Sequence, residues 1–319
     1  MSSLKEAIAR DLIVPTSLIE EGIRDAHHHV KLIKIKKRSG GTRSVYQPSS
    51  KLKLIQYWLI DHCLSKIDIH ESAAAFFKGA SIRANAERHS KNKYFVRIDL
   101  ENFFPSIRFS DLSPYLKEWH KSALPEWPLN AESRSVIATA LFDKSKRLPI
   151  GFPTSPIVAN IVMASVDRLI EERLAQNNDL GSITYTRYAD DMVFSGNTKG
   201  ISGKLIGIVR DILNEIETPK LKINEKKTNV TSRLGGSALV TGIRIRQNTS
   251  ITLTRAYKDR VRLILSRLKK GDPLKETPQQ IAGHLNHIRD IDPDYFNWIY
   301  NHYFNVIEEL LISEKEMPK

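Results

Sequence analysis

Cysteine is nearly absent from the chain. Cys63 stands alone, so no internal disulfide and no cysteine cluster for a metal can form, and a buried thiol in a cytosolic protein is its expected fate. No run of about 18 apolar residues occurs, which excludes a membrane-spanning helix. The opening MSSLKEAIARDL lacks the continuous apolar stretch and small-residue cleavage site of a secretory signal. Internal repeats, low-complexity tracts and long flexible linkers are missing as well. What is left is a chain of 319 residues, 41% of them hydrophobic, expected to fold as one to three domains in the cytoplasm.

Acids are also in short supply. Lys and Arg number 49 against 36 Asp and Glu, a net charge of +13. Such an excess favours polyanionic partners, because neutralising phosphates releases condensed counterions; a merely solubilising surface would give the same total. The distribution is more informative. Residues 31–43 carry Lys31, Lys34, Lys36, Lys37, Arg38 and Arg43 with no acid, and residues 255–275 carry eight bases against Asp259 and Asp272. Two separated basic stretches could clamp a duplex from both sides.

Hydrophobic periodicity predicts helix over residues 4–30, broken near Pro15 with Thr16 or Ser17 as a new cap. A hairpin is expected over 31–48 and a helix over 50–69 with Leu52, Ile55, Leu59 and Cys63 on one face. YFVRIDL (94–100) reads as a strand ending near Asp99. Ser155 and Pro156 read as the cap and first turn of a long helix. ITYTRY and MVFSG read as a β-hairpin about Ala189-Asp190, 202–217 as a helix, and 239–246 and 250–254 as strands. From 255 the chain is helical, basic at first and aromatic-rich at its end, where Tyr295, Phe296, Trp298, Tyr300, Tyr303 and Phe304 either pack internally or dock a partner. His27-His28-His29 invites a metal reading, but adjacent helical residues point in different directions.

The chemistry concentrates in three aspartates. Asp99 ends a hydrophobic strand, and Asp190-Asp191 sit at the tip of a hydrophobic hairpin. Adjacent carboxylates in a tight turn repel each other, and a third from a neighbouring strand worsens this unless cations lie between them. Two Mg²⁺ ions about 4 Å apart, with Mn²⁺ able to substitute, satisfy that requirement and are the arrangement for in-line nucleotidyl transfer. An accidental acidic turn is the bland alternative.

The order of blocks resembles that of reverse transcriptases over nearly the whole chain, with Tyr188-Ala189-Asp190-Asp191 matching the most diagnostic motif. The resemblance implies an α+β right-hand polymerase fold: N-terminal helices and fingers over 1–93, a palm of antiparallel sheet plus helices over 94–249 with an interleaved fingers segment around 115–150, and a helical thumb over 250–319. It assigns metal binding to Asp99, Asp190, Asp191 and the Leu100 carbonyl. Arg43, in GGTRSVYQPS, matches a residue reaching the incoming triphosphate, a role suited to a guanidinium fork, although a solvated hairpin arginine reads the same way. Phe104 matches the steric gate that excludes a 2′-OH, with plain core packing as the alternative. In LPIGFPTSP, Gly151 and Pro153 would let backbone approach the dNTP. Ile150 departs from the commoner Gln and removes a polar contact there. In INEKKT, Lys227 rather than Lys226 matches a lysine near the triphosphate, where it would protonate the leaving pyrophosphate or simply be solvated.

Two smaller blocks, Asn85-Ala86-Glu87-Arg88-His89 and Val240-Thr241-Gly242, resemble the NAxxH and VTG signatures of bacterial retron reverse transcriptases. Asn85 and His89 share a helix face, as a structural polar network or as RNA contacts. Thr241, Arg255, Arg260, Arg262, Arg267, Lys269 and Lys270 are the other RNA-binding candidates. The family implies copying of a cognate structured non-coding RNA into a branched RNA–DNA molecule primed from a guanosine 2′-OH, within an anti-phage system with an effector protein. About 65 residues follow Arg255, too few for a thumb plus an RNase H domain, so a host ribonuclease H is expected to remove the template. Competing readings are a group II intron-like or diversity-generating reverse transcriptase, an RNA-dependent RNA polymerase, and a non-catalytic RNA-binding or antitoxin protein on the same scaffold. The bulky Phe104 argues against the RNA polymerase, and the three carboxylates argue against the pure binder.

Overall fold

The computed structural model describes residues 2–28, 30–36 and 40–315. His29, Lys37 and Arg38, which belong to the histidine run and the first basic stretch, lie outside the described residues. Helix α1 (Leu4–Asp11) starts with a reciprocal capping box between Ser3 and Glu6. The break at Pro15 separates it from α2 (Thr16–Arg24), where Pro15 itself takes the cap position instead of Thr16 or Ser17. β1 (Lys31–Lys36) and β2 (Thr42–Gln47) form an antiparallel hairpin with Lys31 opposite Gln47. α3 (Ser50–His62) is capped by Ser49 and buries Leu52, Ile55 and Leu59. It stops earlier than the periodicity predicts, because Cys63 leaves helical geometry and a short 3₁₀ turn follows. α4 (Ile82–His89) carries the first signature block.

The central sheet is built next. β3 (Tyr94–Asp99) is followed by a short α5 (Phe103–Ser106), then α6 (Phe109–Ala123), α7 (Ala131–Leu141) and α8 (Ser155–Ala175). β4 (Ile183–Tyr188) and β5 (Asp191–Gly196) form the aspartate hairpin, followed by α9 (Ser202–Glu215) and β6 (Asn229–Ser232). The strands lie in the order β4-β5-β3-β6, all neighbours antiparallel. Side chains alternate across a strand, so Val96, Ile98, Tyr185, Met192 and Phe194 enter one core with α8 and α9, while Phe95 and Val193 enter a second core on the opposite face. Ser155 is not the cap expected of it: Thr154 precedes the helix, and the buried Ser155 hydroxyl donates to the Pro149 carbonyl at 2.5 Å.

A three-stranded antiparallel sheet, β7 (Ser237–Val240), β8 (Ile243–Arg246) and β9 (Ile251–Leu253), follows. The single strand expected over 239–246 is therefore two, joined at Thr241-Gly242. Both turn residues have positive φ, 47° and 82°, as a two-residue hairpin of the primed type requires. Helices α10 (Arg255–Lys270), α11 (Pro278–Ile291), α12 (Pro293–His302) and α13 (Phe304–Lys315) complete the chain. Ala238, Val240, Ile243, Ile245 and Leu253 pack with Val261, Leu265, Leu285 and Ile299 in the second core. The boundary expected near residue 250 thus falls inside a sheet that packs with these helices. No helix among the described residues is long and apolar enough to cross a membrane.

Behind the aspartate hairpin lies a fully buried ion pair. The Arg187 guanidinium donates to both oxygens of Asp167 from α8, at 2.7–3.1 Å, and its remaining nitrogen reaches Asn160 Oδ1 at 3.2 Å. Tyr185 donates its hydroxyl to Asp167 at 2.7 Å, and Asn160 donates to the Ala75 carbonyl at 2.7 Å. Taking one partner from a buried pair strands the other charge at a cost of about 3–5 kcal/mol. Asp167→Ala is therefore expected to lower the free energy of unfolding by that order in urea titration; a loss below about 1 kcal/mol would show that Arg187 is rescued by solvent.

Candidate active site

The site forms where β3 and the β4–β5 hairpin end together. Asp99 lies opposite Asp191 in the register, and Tyr188 opposite Asp191 closes the hairpin. Ala189 and Asp190 are left as the two-residue turn. Ala189 sits at φ 55°, a left-handed conformation that costs a non-glycine residue about 1–3 kcal/mol. The Asp190 carbonyl accepts from the Leu100 amide at 3.0 Å, which fastens the turn to the end of β3. Three carboxylates are thereby gathered at one end of the sheet by register alone.

The surrounding cations answer that crowding. Lys227 places its ammonium 2.9 and 3.0 Å from the two oxygens of the buried Asp99, and Asn224 donates to Asp99 Oδ2 at 3.0 Å. Arg97 sits two residues before Asp99, on the same face, and grips both Asp191 oxygens at 2.8–3.0 Å. Asp190 has no such partner among the described residues. Burial, and then the charges of Asp191 and Asp99, push its carboxyl above the usual carboxylate range against the opposing pull of Lys227.

Asp99 and Asp190 face a cleft of about 670 Å³. Arg43 from β2, Phe104 from α5, Ile150, Lys227, Leu100, Asp99 and Asp190 all line it. Both adjacent phenylalanines touch the cleft: Phe103 is 3% exposed and sits in the core, and Phe104 is half-buried against that core and presents more of its surface to the cleft. Asp191 is not part of that wall. Gly151 and Pro153 do not line it either. At φ 108°, Gly151 instead lies so close to β2 that a Cβ would fall 2.5 Å from the Tyr46 carbonyl, and the Ile150 carbonyl accepts from the Tyr46 amide at 2.7 Å. The glycine is needed for the loop to meet the β1–β2 hairpin.

Among the described residues no three His, Cys, Asp or Glu side chains converge as a ready-made metal cage, since Asp99 is engaged by Lys227 and Asp191 by Arg97. The donor set nonetheless fits hard divalent cations: it is made of carboxylate oxygens, it is crowded with like charge, and two basic side chains already occupy the positions where countercharge is needed.

The other predicted residues fall apart into two groups. Asn85 and His89, RNA-contact candidates, are 2% and 0% exposed and cannot present themselves to RNA. His89 instead bridges the two strands of the hairpin, with Nδ1 2.7 Å from Ser195 Oγ and Nε2 2.8 Å from Thr186 Oγ1. Asn85 and Thr241 each carry buried side-chain polar atoms without a hydrogen-bond partner. Arg255, Arg260, Arg262, Arg267, Lys269 and Lys270 are exposed on α10; Arg260 turns toward Glu276 at 3.3 Å, and Arg262 pairs with Asp259. They cover more than one side of the helix.

Arg97, Asn224, Arg187 and Asp167 were missed by sequence reasoning. Arg187 carried a usable signal, because strand alternation places it with Tyr185 on the core side of β4, where a charge demands a partner. Arg97 carried a similar one, two residues from Asp99. Asp167 and Asn224 carried none, since their partners come from distant segments.

The family model described as reverse transcriptase (RNA-dependent DNA polymerase) matches residues 35–277. The chain is similar to the Retron Ec73 reverse transcriptase of Escherichia coli, 41% identical over 276 residues that cover 86% of this chain and 87% of that protein. It is similar to the Retron Ec83 reverse transcriptase of Escherichia coli at 27% identity over 288 residues, covering 86% and 87% respectively. Among solved structures, apo telomerase from Candida tropicalis superposes with a TM-score of 0.48 at 14% identity, over 89% of this chain and 61% of that one.

Two outcomes follow from the charges. Because the folded protein holds the Asp190 proton more tightly than the unfolded chain does, ionising Asp190 costs stability as pH rises through its folded value. Asp190→Asn is expected to unfold at higher temperature than the wild type at pH 8 in chelator, with the gap closing as pH falls into the carboxylate range; a less stable variant at pH 8 would refute this. Burial pushes His89 down to about 3 from its ordinary 6.5. Between those values only the unfolded chain takes up the proton, so this contribution is complete above pH 6.5 and is lost as pH falls toward 3. From pH 7 to pH 5 the loss amounts to about 2 kcal/mol, and His89→Gln is expected to flatten it in urea titrations at the two pH values.

Proposed function

The chain belongs to the reverse transcriptase family, in its bacterial retron branch, and is an RNA-directed DNA polymerase; from that premise we propose that Asp99, Asp190 and Asp191 form its catalytic centre. The observation that carries this reading is the register that sets Asp99 opposite Asp191 with Asp190 at the turn between strands. Asp99, Asp190, Asp191 and the Leu100 carbonyl would hold two Mg²⁺ ions, with Mn²⁺ as a substitute. Bound there, such ions activate the attacking hydroxyl and stabilise the leaving pyrophosphate.

The protein's own residues do the positioning. Arg43 on the fingers hairpin offers a forked donor to triphosphate oxygens from the far wall of the cleft. Phe104 presents a ring where a ribose 2′-OH would project and so selects dNTPs. Lys227 is close enough to the carboxylates to leave Asp99 for the triphosphate and to give a proton to the departing pyrophosphate. Ile150, also in the wall, offers packing where a glutamine would offer a hydrogen bond.

An RNA template is a partner of this enzyme. We assign that template to a cognate structured non-coding RNA held in part by Thr241 and the α10 bases Arg255, Arg260, Arg262, Arg267, Lys269 and Lys270. Priming from a guanosine 2′-OH would give a branched RNA–DNA product, with template removal by host ribonuclease H and an effector protein completing an anti-phage system in the bacterial cytoplasm. Support comes from membership of the retron branch and from the basic exposed face of α10.

Primer extension with Mg²⁺ and dNTPs on an RNA template tests the catalytic assignment. Wild-type protein extends, and Asp190→Ala with Asp191→Ala loses at least about 1,000-fold in rate. Phe104→Ala keeps extension and gains ribonucleotide incorporation; unchanged sugar selectivity would return Phe104 to a packing role.

A further inference from the structure

A second cleft, of about 460 Å³, lies between the three-stranded sheet and α10, and it shares no lining residue with the catalytic cleft. Its wall carries five bases: Arg244 and Arg246 from β8, and Arg255, Lys258 and Arg262 from α10. Two acids oppose them. Asp259 pairs with Arg255 and Arg262, and Asp292, at the foot of α12, takes Lys258 and lies 3.9 Å from Arg246. Arg244 lines the cleft from an exposed strand position and makes no ion pair among the described residues. The cleft keeps a surplus of positive charge after its own acids are counted.

An aromatic ladder leads away from its rim. Tyr295 lines the cleft, under the Lys258 ammonium at 4.2 Å. Trp298 follows, nearly parallel to Tyr295 with ring centroids 5.8 Å apart, and His302 follows Trp298 at 5.4 Å. Centroid spacings of this size between parallel rings mean offset stacking, so each ring leaves part of its face free. Trp298 is 47% exposed, an unusual state for the largest apolar side chain on a helix whose Ile299 is wholly buried.

We propose that this cleft and ladder form a subsite for single-stranded polynucleotide, with a backbone phosphate in the basic cleft and the neighbouring base stacked along Trp298. Charge complementarity selects a polyanion, and the flat rings beside it select one that carries bases. A duplex hides its base faces and has nothing to offer the ladder. The inference rests on the polymerase reading, since the enzyme's RNA template or its DNA product supplies the strand. Of the RNA contacts proposed above, Arg255 and Arg262 belong to this subsite; Arg244, Arg246, Tyr295 and Trp298 are new.

The molecule provides its own reporter. Trp58, Trp119 and Trp127 are 4%, 8% and 4% exposed, so Trp298 is the solvent-accessible indole. Full-length protein is titrated with a 12-nucleotide oligoadenylate as RNA, the same sequence as DNA, and a blunt RNA duplex of equal length. Single strands are expected to quench the indole emission, and Trp298→Phe to abolish that quenching. Trp298→Ala is expected to weaken binding about fivefold or more by anisotropy of a labelled oligomer. Arg244→Ala is expected to weaken it and to reduce the slope of log K against log salt by about 0.7. Preference for RNA identifies the template strand as the occupant, and preference for DNA identifies the product; either upholds the subsite. Equal quenching by duplex, no quenching by either strand, or unchanged affinity and salt slope in both alanine variants overturns it. Primer extension by the same preparation separates the two claims. Extension without quenching removes the subsite and leaves the polymerase standing, and quenching without extension does the reverse.

Discussion

Asp99, Asp190 and Asp191 are forced together by strand register, and their mutual repulsion is the constraint to which the surrounding structure answers. A sheet end of this kind would fray if the strands were free to slip or splay. Lys227 and Asn224 hold Asp99, Arg97 holds Asp191, and the Leu100 amide holds the Asp190 carbonyl. Asp190 is left the least compensated of the three, and burial first, then the charges of Asp191 and Asp99, push its carboxyl upward. A binding protein with no use for that charge would gain stability by discarding it.

The hairpin that bears this load is pinned on both faces, by different chemistry. On the core side the Arg187–Asp167 pair, joined by Tyr185 and Asn160, ties β4 to α8 with every partner buried. On the opposite side neutral His89 ties β4 and β5 to α4 through two hydroxyls. Polar links of this kind specify one geometry where apolar packing would tolerate several. A shift of one residue in the register would move every side chain of the hairpin to the wrong face.

Helix α4 has a second attachment. Ala86 enters the core of the three-stranded sheet and its helices, along with Phe95 from β3 and Val193 from β5. The helix that carries Asn85 and His89 is thus a strut between the aspartate hairpin and the sheet that bears the Thr241 turn. The NAxxH and VTG blocks sit on elements that pack together, so their joint presence has a structural reason in addition to any role in RNA recognition. The basic cleft and aromatic ladder extend from the far side of that sheet.

The sequence by itself determined what local chemistry encodes: the aspartate hairpin, the strand ending at Asp99, the break at Pro15, the basic α10, and through its blocks the reverse transcriptase resemblance. These rest on periodicity and on turn residues a few positions apart. Tertiary structure alone decided the matters that depend on partners distant in the chain. Thr241 proved a turn residue and not a strand residue, because both central positions of the β7–β8 hairpin take positive φ. Gly151 proved to serve the contact with Tyr46, and His89 the hairpin, because each meets a segment about a hundred residues away. Asp167 and Asn224 could not be found from spacing, since their value lies in Arg187 and Asp99 arriving beside them. Charge placed in a sequence states a need for a counter-charge, and only the fold says which residue meets it.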